Sequence, residues 1–170
     1  MFKYTGTNKK VIEAVMLANN LNDNHAFFNG IKESKFDMSS ASGSYIAREY
    51  VNFNEDISVK VYYPKWKWSK ALGYFSPSRP LDINLNGYKL GRSIDSIVGT
   101  LVHEKVHMVD NRDALHSYGH GSNDPSGKAN TAPYWIGNFA QSIIGELNFN
   151  NTENYTYRIP WYLRLLRWIF

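Results

Sequence analysis

Residues 93–110 read SIDSIVGTLVHEKVHMVD. With about 100° between successive residues of a helix, Ile94, Ile97, Val98, Leu101, Val102, Met108 and Val109 fall on one arc. His103, His107 and Asp110 fall together on the opposite side, beside Ser96 and Thr100, with Glu104 at the border. The stretch therefore predicts an amphipathic helix. Ser93 stands at the N-cap, and Asp95 sits in the first turn, where a carboxylate complements the positive helix end. One face belongs to the core; the other presents two imidazoles one helical turn apart, a spacing that holds a single ion from a rigid base. Lys105 falls inside the apolar arc, so it must extend its head to water, pair with an acid, or mark a wet patch.

The chain holds five histidines, and four of them (His103, His107, His116 and His120) lie within residues 103–120. It has no cysteine, so disulfides and thiolate metal sites are excluded, and any metal must be held by His, Asp or Glu. Residues 103–107, HEKVH, are an HExxH motif. The two imidazoles suit zinc, and Glu104, one residue on, reaches a water on the metal rather than the metal itself. Zinc brings that water's pKa down to roughly 7, and a carboxylate takes its proton as it attacks a carbonyl.

At these residues the chain resembles the zincin metallopeptidases. Thr100 also agrees with the longer zincin helix pattern, while Lys105 departs from it at a position normally uncharged. The resemblance implies an α+β fold in which a small mixed or antiparallel sheet packs on the HExxH helix with further helices. It also implies one Zn2+ per chain, a protein or peptide substrate, and a third protein ligand. His120 is the favoured ligand, because Tyr118-Gly119-His120-Gly121 is similar to the GHG loop of SprT- and Spartan-like proteases. His116 comes second and Asp113 third; Asp113 has the spacing of another zincin pattern, but Asp110 stands where that pattern has glycine. A thermolysin-like arrangement would use Glu146. Asp110 is a candidate to orient an imidazole, and Tyr118 and Tyr134 are candidates to donate to a developing oxyanion.

The surroundings of the motif divide by periodicity. Residues 8–22 carry apolar side chains at Val11, Ile12, Val15, Met16 and Leu21, a helical spacing. From about 44 to 63 the texture is β-like, clearest where Ile57, Val59, Val61 and Tyr63 alternate with Ser58, Lys60 and Tyr62. After the Pro- and Ser-broken FSPSRP, Leu81, Ile83 and Leu85 alternate with Asp82 and Asn84, and Asn86-Gly87 signals a tight turn. This reads as a strand with one polar face at a sheet edge, where a substrate strand adds by main-chain hydrogen bonds alongside Asp82 and Asn84. Residues 113–130 form a long loop of a kind that is uncommon without a function. Thr131 and Pro133 then begin another helix.

Composition bounds the rest. The 170 residues, 43% of them apolar, fit a single domain spanning 1–170. No apolar run approaches the ~20 residues of a membrane span, and the start MFKYTGTNKK lacks the apolar core of a signal peptide. A soluble protein, with the cytoplasm favoured, is the expectation. A net charge of +4 permits an acidic partner without demanding one. KWKW at 65–68 interleaves Lys and Trp as single-strand binders do, yet a lone tetrad reads first as an exposed strand end, so nucleic acid is not the favoured partner. The C-terminal WYLRLLRWIF reads as a segment packed on the domain, with a membrane surface as the other option. Two rivals stand beside a general metallopeptidase: a SprT-like protease acting on DNA-bound proteins through Lys65 and Lys67, and a non-catalytic protein whose metal pins the long loop. A structural site is closed by four protein ligands, whereas a catalytic one keeps a position for water.

Overall fold

The structure, a computed structural model, describes residues 1–119 and 128–151, the side chains of 147–151 excepted. In chain order the elements are β1 (Phe2–Lys3), α1 (Lys9–Asn20), α2 (His25–Glu33), α3 (Gly43–Asn52), β2 (Ile57–Tyr62), β3 (Gly73–Ser76), β4 (Arg79–Asn86), α4 (Ile94–Arg112) and α5 (Ala132–Asn151). The fold is α+β, with five helices and a four-stranded mixed sheet among the described residues.

Side-chain caps start the first three helices. Asn8 accepts from the Val11 amide, Asn24 from Phe27 and Ser42 from Tyr45, each satisfying an amide that the first turn leaves without a partner. Ser93 occupies the N-cap of α4, as its position in the sequence implies, but makes no side-chain cap bond. Arg92 braces this end instead, its Nη1 donating to the Ser96 carbonyl and to the hydroxyls of Ser96 and Thr100.

The β-like reading of 44–63 holds only for its second half. Residues 43–52 are helical, and Gly43, Ile46, Ala47 and Tyr50 are buried at i, i+3, i+4 and i+7. The Ser42 cap and this spacing outweigh the weak strand preference of Tyr, Ile and Val.

The sheet order is β1-β2-β4-β3. β1 and β2 pair in parallel, as do β2 and β4, while β3 runs antiparallel to β4. This corrects the edge assignment. β4, which carries Asp82 and Asn84, lies between two strands, and its main chain is taken up on both sides. Asp82 instead pairs with Lys60 at 2.6 Å, and Asn84 is buried. Among the described residues the edge strands are β1 and β3, and β3 comes from the segment read as broken by proline and serine. Pro77 and Ser78 make the hairpin turn there, and Asn86-Gly87 leads into a 3-10 turn rather than a hairpin.

Ile57, Val59, Ile83 and Leu85 form the sheet's apolar face, joined in one core by Val11, Ala14 and Val15 of α1 and by Ile97, Leu101 and Met108 of α4. Full burial of each larger aliphatic side chain contributes about 1.5–3 kcal/mol. The same core extends into an aromatic contact among three helices. Phe27 of α2 lies 5.9 Å from Tyr50 of α3 and 6.1 Å from Phe139 of α5, ring centre to ring centre.

α4 is covered on more than its apolar arc. A Cβ on Gly137 of α5 would stand 2.8 Å from the Gly99 carbonyl oxygen and 3.0 Å from His103 Cβ, so the two backbones meet where neither helix has a side chain. Gly137→Ala is expected to cost about 1–3 kcal/mol of stability by forcing these helices apart, against the better helix propensity of alanine, worth up to about 1 kcal/mol. Urea unfolding checks this, and a variant as stable as the parent would refute the close crossing.

Candidate metal centre

α4 places His103 and His107 four residues apart, and their Nε2 atoms converge to 3.2 Å. The rings stand edge to face with centroids 4.9 Å apart. Two nitrogens bound to one tetrahedral zinc at about 2.0–2.1 Å would lie about 3.3 Å apart, so this pair has the spacing of two ligands on a shared ion. Both imidazoles are partly buried. Tyr134, at the start of α5, sets its ring 4.7 Å from that of His103 at 72°, so of the two tyrosine candidates it is the one beside the histidines.

Glu104 is buried at 7% exposure, and one carboxylate oxygen accepts the Phe75 amide of β3 at 2.9 Å. Burial pushes its carboxyl up to about 7, and the Phe75 hydrogen bond opposes this in part. The amide that reaches it points away from β4, from the sheet's open edge. By the two-residue period of an antiparallel strand, Gly73 shares that outward side. β3 passes close to the helix here: a Cβ on Gly73 would stand 2.9 Å from Thr100 Cγ2. This main-chain contact had no side-chain signal in the sequence, where Phe75 falls within the Pro- and Ser-broken FSPSRP.

Lys105, the departure from the motif's usual chemistry, is also buried. Its Nζ lies 3.9 Å from the centre of the Tyr50 ring and 6.0 Å from that of Phe2. Burial lowers its ammonium to about 8, and the ring faces supply attraction in place of an acid.

Three other candidates are drawn into a different task. Asp113 accepts the Leu115 and His116 amides through Oδ1, and Oδ2 accepts the Tyr118 hydroxyl at 3.2 Å. Burial opposes ionisation of Asp113, but these amides and the Tyr45 and His116 side chains together hold its carboxyl below the usual range. His116 packs against Tyr45 at 4.3 Å, with Nδ1 3.3 Å from Asp113 Oδ2. Tyr118 is fully buried, and its amide donates to Asp110 Oδ1. Asp110 thus ties the loop to the helix one turn past His107. Among the described residues no group of three His, Cys, Asp or Glu side chains is placed to hold a metal. Glu146 lies at the wrong end of α4: its neighbour Gly145 faces Asp95, while Gly137 faces His103.

His120, the favoured third ligand, lies outside the described residues, as does the C-terminal WYLRLLRWIF. The chain is fixed up to Gly119, which adopts φ +82; a Cβ there would meet the Asp37 carbonyl at 2.6 Å, so glycine is required. Ser40 and Ser117 exchange hydrogen bonds, and the Asp37 amide donates to the Asn130 carbonyl. Both stems of the loop are therefore tied to the same turn around residues 37–40.

No protein-family model, curated protein or solved structure matches this chain. Among the described residues, no helix is long and apolar enough to cross a membrane.

Proposed function

We propose that the chain is a zinc-dependent metallopeptidase of the zincin type, with His103, His107 and His120 as zinc ligands and Glu104 as the catalytic base. The observation that carries this reading is the convergence of His103 and His107 Nε2 to 3.2 Å, with the intervening Glu104 carboxyl held against a free strand edge. Zinc held there would polarise a peptide carbonyl and acidify water.

The residues of the chain divide the remaining work. A carboxyl poised near neutrality accepts a proton from the attacking water and passes it to the leaving amine. The outward side of β3, apart from the Phe75 amide already given to Glu104, is the edge along which an extended substrate strand would add, laying a peptide beside Glu104. Tyr134, whose ring lies 4.7 Å from that of His103, is the candidate hydroxyl donor to a developing oxyanion. The mixed sheet with an antiparallel edge strand beside the HExxH helix also agrees with the zincin resemblance.

The engagement of His116 and Asp113 with Tyr45, Tyr118 and local amides favours this reading over a closed four-ligand structural site. His116→Ala is accordingly expected to leave zinc affinity within about threefold, whereas His120→Ala weakens it more than about a hundredfold, beyond the usual cost of losing an outer partner. Zinc titration against a competing chelator measures both. Equal losses would point to four protein ligands and a structural role. The activity itself is tested by cleavage of a mixed-sequence peptide library by the full chain, with and without 1,10-phenanthroline. Zinc-loaded protein that cleaves nothing, while holding its metal stoichiometrically, would sink the peptidase assignment.

A further inference from the structure

Away from the histidines, the chain between Lys60 and Arg92 carries seven basic residues (Lys60, Lys65, Lys67, Lys70, Arg79, Lys89 and Arg92) against one acid, Asp82. The whole chain is only +4, so its positive charge is concentrated here. The same region holds a dense group of exposed large apolar side chains. Trp66 is 59% exposed, Trp68 76% and Tyr63 65%, with Leu72, Tyr74 and Tyr88 each above 40%. Such a cluster is costly in water and marks an interaction surface.

The surface is built rather than loose. The segment between β2 and β3 folds back on the end of the sheet, where Asn86 donates its side-chain amide to the Ala71 carbonyl and its main-chain amide to Leu72. Tyr63 packs on Tyr88 at 5.1 Å, Trp66 on Trp68 at 5.3 Å, and Lys67 Nζ lies 5.5 Å from the Tyr88 ring centre. Order present before contact lowers the entropic cost of binding.

From this juxtaposition we infer that the Trp66/Trp68 surface docks the protein on an anionic lipid membrane. Indole and phenol rings settle at the boundary between headgroups and acyl chains, Leu72 adds an aliphatic contact, and flanking lysines are drawn to acidic headgroups. Two features favour lipid over single-stranded nucleic acid. The rings pack on one another, which leaves less ring face for stacking bases. The charges that adjoin the two tryptophans in sequence are lysines, Lys65, Lys67 and Lys70, point charges suited to a diffuse anionic surface, rather than the arginines that fork onto a phosphate or stack on a base.

The test is flotation of the full chain with vesicles of phosphatidylcholine alone and of phosphatidylcholine with phosphatidylserine, at low and high salt. Binding is expected only with phosphatidylserine, weakened by salt and accompanied by a blue shift of tryptophan emission. Trp66→Ala/Trp68→Ala and Lys65→Glu/Lys67→Glu should each weaken it more than about tenfold, with unchanged thermal melts and zinc content, because all four side chains are exposed. Absence of flotation with anionic vesicles overturns the inference, as does flotation that survives both double variants. Binding of oligodeoxythymidine that needs Trp66 and Trp68, with no vesicle binding, assigns the surface to nucleic acid instead. None of these readouts depends on peptidase activity.

Discussion

Glu104→Gln is expected to lower peptide hydrolysis by about 10²–10⁴-fold, the range for losing a positioned general base, while leaving zinc content and fold intact. Glutamine has the same shape, and its carbonyl oxygen still accepts the Phe75 amide that Glu104 receives at 2.9 Å. What it cannot do is take a proton from water. The substitution also removes a buried ionisable group whose charged form is disfavoured by burial, so the apoprotein should unfold at a denaturant concentration no lower than the parent's. Measuring kcat/KM on one cleaved peptide, beside urea unfolding and metal analysis, separates the effects. Cleavage at the parent rate would refute the base. A collapse of the fold would show that the carboxylate is needed for structure rather than for proton transfer.

Removing either helix histidine has the other large effect. His103→Ala or His107→Ala should reduce zinc from about one per chain to a trace, because either change leaves only the other helix imidazole and the proposed His120, one protein ligand short of a zincin site. The affinity loss should exceed the roughly 10–100-fold typical of losing an outer partner. A stability signature follows by mass action: at a free zinc concentration a thousand times Kd, binding to the folded state adds about 4 kcal/mol. For a chain of this size that is a shift in Tm of about 8–16 °C. Chelation should lower the parent's Tm by that amount and leave both variants unmoved. Stoichiometric zinc in either variant would overturn the site.

Much of this site is local geometry, which explains how much of it was legible. A helix brings residues four apart onto one face whatever surrounds it, so the meeting of His103 and His107 follows from the sequence once residues 94–112 are helical. The apolar arc that makes them helical was equally visible. Ile97, Leu101 and Met108 are buried as their spacing implies. The starts of α1 and α5 and the alternation of β2 were readable for the same reason: caps and periods are properties of short windows.

The remainder was decided by partners distant in sequence. Asp82 and Asn84 read as an edge because their strand has one polar face, but an edge is defined by which strand pairs on either side, and β3 supplies the missing neighbour of β4. The stretch from about 44 read as β-like, although the Ser42 cap and the helical spacing of Gly43, Ile46, Ala47 and Tyr50 were local signals for a helix. What only the tertiary structure supplied is the partner of that face, Phe27 against Tyr50. His116, Asp113 and Tyr118 have the chemistry of ligands and acid–base groups, and the turn around residues 37–40 with Tyr45 recruits them to fix the loop. Lys105 found a ring rather than an acid. The sequence by itself determined the helix and the pair of imidazoles it aims at one point, because both are set within a few residues by the helical repeat. Only the tertiary structure decided which strand edge faces Glu104, what covers the polar side of α4, and which titratable groups are spent on anchoring, because each depends on contacts between segments tens of residues apart that no local period encodes.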